Sequence, residues 1–517
     1  MIKKNLVKSA GIIICIAIIS KILGFLRDAT IASSFGASLS TDAYIMSLII
    51  PNILFEVIGT AISITFIPIL SESYRNNGKD DMFNFSNSII NLLFLICIFL
   101  CIFGWIFTPD IVRIIAPKFS GEKYILTIKL THISIINILF MSITAGYTAI
   151  LQTLNDFTAP ALMGIALSVP IIIYNFLGAR FGIYGLVIVT LIGYGLQVII
   201  QIPWIIKNKY KYSLKINFHD SRIKKMLGLI MPILIGVGVD QINSLVDRIM
   251  ASGLPDGSIA SLDFATKVNS LVYSIFAMAI VTVIYPTLST EGSENNYSNF
   301  RRYISKAINN INMLMIPSTI GLVILRFNVI RILFKHGAFN ENAVIMTSKA
   351  LLFLSIGMIF YGIRDVCNRA FYALKDTKTP MINGIFGVCA CISMNLVMVP
   401  RMGLAGLALA NTTSAIVCAL FLIKNLRKKI NGINGNEILD NGIKIFISSI
   451  IMGAGVYGIE RFMSQFLYGF RGEIILLICS ILVGVTIYFI MLMILGVKEF
   501  KFIMKISKNK LKALIQH

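Results

Sequence analysis

Charge is scarce in this 517-residue sequence: Asp, Glu, Lys and Arg make up 14% of it, while 56% is hydrophobic and the mean hydropathy is +0.83. Soluble domains carry about 25% charged residues, so a soluble globular chain is excluded. Acidic residues are scarcer still, 24 against 46 basic ones, for a formal charge of +22. A nucleic-acid binder would gather such an excess on a solvated domain with a recognisable motif, and none is present, so no nucleic-acid partner is expected. Histidine is nearly absent, and His132, His219, His336 and His517 are too scattered for a metal site. His-Glu-x-x-His, zinc-ribbon and P-loop patterns are missing too, which disfavours metal hydrolases and ATP-driven pumps. The eight cysteines (Cys15, Cys97, Cys101, Cys367, Cys389, Cys391, Cys418, Cys479) lie inside apolar runs, as small hydrophobes rather than a disulfide framework. No small-residue cleavage site ends the first apolar run, which starts near Lys8 and continues through Arg27, so that run is expected to stay in the mature protein.

What the chain does have is apolar runs of about 20 residues, the length that crosses the hydrocarbon core of a bilayer. They begin near residues 8, 41, 83, 125, 159, 182, 226, 260, 306, 343, 380, 404, 443 and 473, which predicts an all-α polytopic membrane protein of fourteen transmembrane helices. An even number of spans places both termini on one side. With that side cytoplasmic, the inside segments hold more than half of the 46 lysines and arginines, as the positive-inside rule requires. The strongest clusters, Lys207 to Lys225 and Lys424 to Lys429, fit orientation and contact with anionic membrane lipids. They divide the chain into an N-terminal six-helix lobe (1–206), a basic linker (207–225), a second six-helix lobe (226–425), another basic linker (426–442), and two further helices with a basic tail (443–517).

The two lobes read as copies. Asp28-Ala-Thr-Ile-Ala-Ser33 closes the first span and Asp247-Arg-Ile-Met-Ala-Ser252 the seventh; Pro68-Ile-Leu-Ser71 closes the second and Pro286-Thr-Leu-Ser289 the eighth, at nearly the same offset. Because six spans separate the copies, both cross the membrane in the same sense, making a parallel repeat. Transporters built this way bind substrate between their halves.

Ionisable residues inside spans are costly and mark function unless they reach an interface. Spans one, two, seven and eight hold Lys21, Arg27, Asp28, Asp42, Glu56, Asp240, Asp247, Arg248, Asp263 and Lys267. The outer-end members Asp28, Asp42, Asp247, Arg248 and Asp263 either act in the site or pair locally and snorkel to water. Lys21, Arg27 and Lys267 are expected to face one central cationic cavity that attracts an anion such as the pyrophosphate of a lipid-linked substrate. Pro51, Gly59, Gly236 and Gly238 would let spans two and seven bend. Asp240, with Asn395 and Asn411 in spans eleven and twelve, could hold Na⁺ or take a proton as a coupling site; the alternative is a hydrogen-bonded joint between helices.

Ser20-Lys-Ile-Leu-Gly-Phe-Leu-Arg-Asp28, Phe35-Gly36, Thr41-Asp-Ala-Tyr44 and Pro51-Asn52 together resemble the N-terminal signature of the MurJ (MviN) lipid II flippase family. Asp240-Gln-Ile-Asn243, Leu333-Phe-Lys-His-Gly-Ala-Phe339, Arg369 to Pro380 and Gly403 to Ala410 are similar to it as well, so the resemblance runs collinearly over about residues 8 to 425. It implies a member of the multidrug/oligosaccharidyl-lipid/polysaccharide exporter superfamily, with two six-helix lobes around a cationic cavity. It implies movement of undecaprenyl-pyrophosphate-linked disaccharide-pentapeptide (lipid II) to the outer leaflet for peptidoglycan synthesis, in the bacterial cytoplasmic membrane and alongside cell-wall synthesis proteins. Spans thirteen and fourteen would resemble the part forming a lipid-tail groove.

Carried onto this sequence, the resemblance assigns Lys21, Arg27, Asp42 and Lys267 to substrate binding, with lysine at 21 and 267 where the family usually has arginine. In span two the family often has two arginines after Pro-Asn; here Phe55 and Glu56 follow instead. The expected activity is transport without catalysis or a cofactor, driven by Na⁺ or H⁺ coupling or by the membrane potential. A flippase for another polyprenyl-linked glycan, such as a teichoic acid, capsule or O-unit, is the alternative. A membrane glycosyltransferase is disfavoured because the loops are short and mostly basic, and a non-transporting scaffold because charges are buried in both copies.

Overall fold

The computed structural model describes the backbone of residues 2–293 and 297–501, and their side chains except at 2–10, 57, 58, 60–64, 227, 229–240, 279 and 293. Among the described residues all regular structure is helical. The order is α1 (Ile2–Phe35), α2 (Leu39–Ile106), α3 (Thr108–Ile115), α4 (Gly121–Ser134), α5 (Asn137–Thr153), α6 (Thr158–Phe176), α7 (Gly182–Lys207) and α8 (Ser221–Ala251). Then follow α9 (Ser258–Ser293), α10 (Tyr297–Phe334), α11 (Glu341–Ala373), α12 (Lys378–Met402), α13 (Leu404–Lys429), α14 (Gly435–Met463) and α15 (Gly469–Ile494). Each of the apolar stretches read from the sequence falls on helix, and among the described residues 11 helical segments are long and apolar enough to cross a membrane.

Two compact units emerge: residues 1–260 with 336–340, and residues 261–335 with 341–517. In the first, α2 packs on α4, α5 and α8, and α6 packs on α1 and α7. One core joins Phe66, Leu70, Phe85 and Ile89 of α2 to Ile150 of α5 and Ile205 of α7. In the second, α13 packs on α11 and α12, while α10 carries α11, α14 and α15. The core there sets Met313, Ile316 and Leu325 against Met452, Val456 and Leu492. Outward faces are apolar: α15 exposes Ile478, Leu482 and Phe489 and buries the small residues Gly472, Ser480 and Gly484. That is inverted relative to a soluble helix and suits contact with lipid tails.

Three local features depart from the sequence reading. The polar break expected between the spans beginning near 41 and 83 is helical, because Ser, Glu, Arg, Lys and Asp all tolerate helix; within α2 only Gly78, at φ 88°, leaves helical geometry. Pro51 and Pro68 both sit inside helix, and the non-helical residue of α2 is Gly78, beyond the apolar stretch of span two. The short α3, with Pro109 in its first turn, was not read as an element.

Candidate functional site

The turn between α1 and α2 carries a buried polar cluster in the first unit. Ser38 caps α2 by accepting from the Thr41 amide at 3.3 Å, and the Thr41 hydroxyl donates to the Gly36 carbonyl at 2.8 Å. One turn on, the fully buried Asp42 carboxylate accepts from Lys123 Nζ at 2.7 Å and from the backbone amides of Gly257 and Ala260 at 2.8 Å each. Those amides belong to the start of α9, where donors lack intrahelical acceptors and the helix dipole favours a negative charge. Lys123, itself buried, also reaches Asp256 at 2.8 Å and lies over the Phe119 ring. One more segment locks onto the same turn, and the α9 start approaches it closely. The Ala338 amide donates to the Ser33 carbonyl at 2.7 Å, and Gly257, at φ +84°, passes so close that a Cβ there would stand 2.3 Å from the Ala37 carbonyl oxygen.

Further down α1, Arg27 pairs with its neighbour Asp28, Nε at 3.0 Å and Nη2 at 2.9 Å from Oδ1. Lys21, on the same helix, is exposed. In the second unit, Lys267 reaches Asp263 one turn back on α9 at 2.8 Å. Asp28 and Asp263 therefore follow the local-pairing alternative, whereas Asp42 finds its cation on another helix. Asn395 of α12 and Asn411 of α13 converge on one thiol: Asn395 Nδ2 donates to Cys391 Sγ at 3.5 Å, and Cys391 Sγ lies 3.7 Å from Asn411 Oδ1. This has the form of a polar joint between helices. Asp240 lies on α8, with its side chain outside the described residues.

Comparison with known proteins now decides the family. The family profile "Lipid II flippase MurJ" matches residues 31–501. The chain belongs to the lipid II flippase MurJ family. A curated relative, the probable lipid II flippase MurJ of Buchnera aphidicola subspecies Baizongia pistaciae, is 32% identical over 87% of this chain and 88% of its own. The lipid II flippase MurJ of Thermosipho africanus is 31% identical over 91% of this chain and 93% of its own. A solved MurJ in an inward closed conformation superposes with TM-score 0.79 at 30% identity, covering 93% of this chain and 97% of that one. An inward-facing multidrug MATE transporter of the MOP superfamily shares the fold, with TM-score 0.69 at 15% identity over 80% of this chain and 94% of that one.

Several engaged polar residues of this MurJ-family chain escaped the sequence reading. Lys123 and Asp256 lie outside the spans, and no spacing links them to Asp42. In the second unit the Tyr273 hydroxyl donates to Asp365 at 2.6 Å, with Arg364 on the other carboxylate oxygen at 3.4 Å. The basic linker after α7 is held along α2 by two amides one turn apart. Asn87 accepts from the Tyr210 hydroxyl at 2.5 Å and donates to the Lys211 carbonyl at 3.1 Å, while Asn91 accepts from the Tyr212 hydroxyl at 2.6 Å and donates to the Ser213 carbonyl at 2.7 Å. The available signal was the pair itself, amides at i and i+4 on an otherwise apolar helix. At the start of α8, Arg222 bridges Asp81 and Asp220 and holds the Asp220 carboxyl below the usual carboxylate range by hydrogen bonding to it.

Proposed function

We propose that this protein is a lipid II flippase: it carries undecaprenyl-pyrophosphate-linked disaccharide-pentapeptide from the inner to the outer leaflet of the bacterial cytoplasmic membrane by alternating access, with both termini cytoplasmic. The observation that carries this reading is the match of the family profile over residues 31–501. A flippase is a transporter, and its work is to bind, shield and release a charged headgroup. The cations proposed to meet the pyrophosphate are Lys21, Arg27 and Lys267, of which Arg27 and Lys267 also carry the ion pairs with Asp28 and Asp263. Arg27 offers the forked guanidinium that fits phosphate oxygens, and the two lysines offer point charges. Asp42, whose carboxylate holds the start of α9, would act on substrate through the shape of the α1–α2 turn.

The test is accessibility of lipid II at the outer leaflet in cells depleted of their own flippase and supplied with this gene. Wild type is expected to restore it, and a well-expressed Arg27→Ala variant to fail. No rescue by a correctly inserted wild type would move the substrate to another polyprenyl-pyrophosphate glycan, the reading that Phe55 and Glu56 in place of the family's span-two arginines would favour.

A further inference from the structure

A cavity of about 900 Å³ lies within the second unit, among the start of α10, the α13–α14 turn and the segment after α15. It contains none of the residues assigned above to substrate or coupling. One face of α10 forms a wall: Arg301, Arg302 and Lys306 come first, then Asn310, then Met313 and Leu314, at the i, i+4 spacing that places side chains on one side of a helix. Over about 20 Å, at roughly 1.5 Å per residue, this wall passes from cationic through a neutral amide to apolar. That order complements an amphiphile with an anionic head and a hydrocarbon chain.

Each carboxylate of the cavity makes at least one polar contact. Glu437 faces Lys498 at 3.7 Å, and Glu499 accepts from Asn309 at 2.6 Å and from Asn441 at 3.2 Å. Two buried atoms here have no hydrogen-bond partner among the described residues, Nε of Arg301 and Oε2 of Glu499. A buried guanidinium donor is costly to leave unmatched, and an oxygen brought by a ligand relieves it. Adjacent arginines with a lysine one turn on suit phosphate oxygens, which accept several charge-assisted bonds at once.

We propose that this cavity binds the phosphate of an anionic membrane phospholipid, with Arg301, Arg302 and Lys306 on the headgroup and the acyl chain along Met313 and Leu314. The apolar end of the wall selects a lipid over free phosphate. With the cytoplasmic termini proposed above, the cationic end of α10 meets the inner leaflet, where anionic headgroups attract basic residues. The bound lipid is a resident of the second unit, separate from the cargo.

The test titrates the purified full-length protein in detergent with phosphatidylglycerol, phosphatidylcholine and inorganic phosphate, reading bound lipid by native mass spectrometry. No lipid II is used, so the result stands apart from the transport assay. Phosphatidylglycerol is expected to be retained in preference to phosphatidylcholine. Arg302→Gln and Lys306→Gln alter exposed side chains and should fold; together they are expected to weaken retention about tenfold or more, the scale of losing charge-assisted hydrogen bonds. Arg301→Gln should deepen the loss. Equal retention of phosphatidylglycerol by wild type and the double variant overturns the proposal, as does displacement of the lipid by inorganic phosphate at matched concentration.

Discussion

At the residue scale, Asp42 shows how a buried carboxylate is matched by its surroundings. Its two oxygens receive a lysine ammonium and two helix-start amides, so the charge is matched by one formal and two partial positive charges. Removing one partner of such a buried pair leaves the other uncompensated, which typically costs about 3–5 kcal/mol. Asp42→Ala is therefore expected to lower the thermal midpoint of the purified protein sharply, with Asp256 retaining part of the Lys123 interaction. Pairing it with Lys123→Met should recover part of the loss, because the stranded ammonium goes too, and a double-mutant cycle reads that coupling. An unchanged midpoint for Asp42→Ala would show that the clamp contributes nothing to the fold. The sequence announced Asp42 as important but not why. Its partners lie on segments far away along the chain, and a lysine between spans looks like any other positive charge until the fold carries it inward.

At the element scale, the internal repeat is written most plainly in the turns. Between α5 and α6, Asn155 takes positive φ, the Asp156 amide donates to the Leu151 carbonyl, and Asp156 Oδ1 accepts from the Thr158 amide. Between α11 and α12, Lys375 takes positive φ, the Asp376 amide donates to the Phe371 carbonyl, and Asp376 Oδ1 accepts from the Thr379 amide. Gly182, the first residue of α7, and Gly403, just before α13, likewise share positive φ. The repeat was legible in the sequence from the ends of four spans, and the turns carry it too, as Leu154-x-Asp156-x-x-x-Pro160 and Leu374-x-Asp376-x-x-x-Pro380, although the geometry around the aspartates shows only in the structure. The copies have diverged in charge, since Asp376 alone of the two aspartates also holds a lysine, Lys429. Burial raises the Asp376 carboxyl, but Lys429 and Thr379 outweigh it and bring it down to about 2. A carboxylate depressed in the fold stabilises fully above its unfolded pKa of about 3.9, and the contribution is lost as pH falls through the folded value. Melting temperature should therefore fall less steeply in Asp376→Asn than in wild type between pH 4 and pH 2, with matching slopes above pH 5. Parallel curves down to pH 2 would remove Asp376 from the acid response.

At the scale of the whole molecule, the excess of positive charge and the apolar outer faces answer to the same solvent: hydrocarbon around the helices and anionic headgroups at their ends. The sequence carries no P-loop pattern, and the energy source we propose for moving a charged headgroup is the membrane potential. A pyrophosphate moving outward across an inside-negative membrane gains roughly 2.3 kcal/mol per charge per 100 mV. A joint of two amides and a thiol at Asn395, Cys391 and Asn411 brings no carboxylate of its own, so ion coupling would depend on Asp240. Dissipating the membrane potential with valinomycin in high potassium is thus expected to stop lipid II reaching the outer leaflet in cells that rely on this protein, while removal of external sodium leaves it in place. If sodium removal halts the wild type, and Asp240→Asn abolishes that sodium dependence, the coupling site is Asp240 and the potential is secondary.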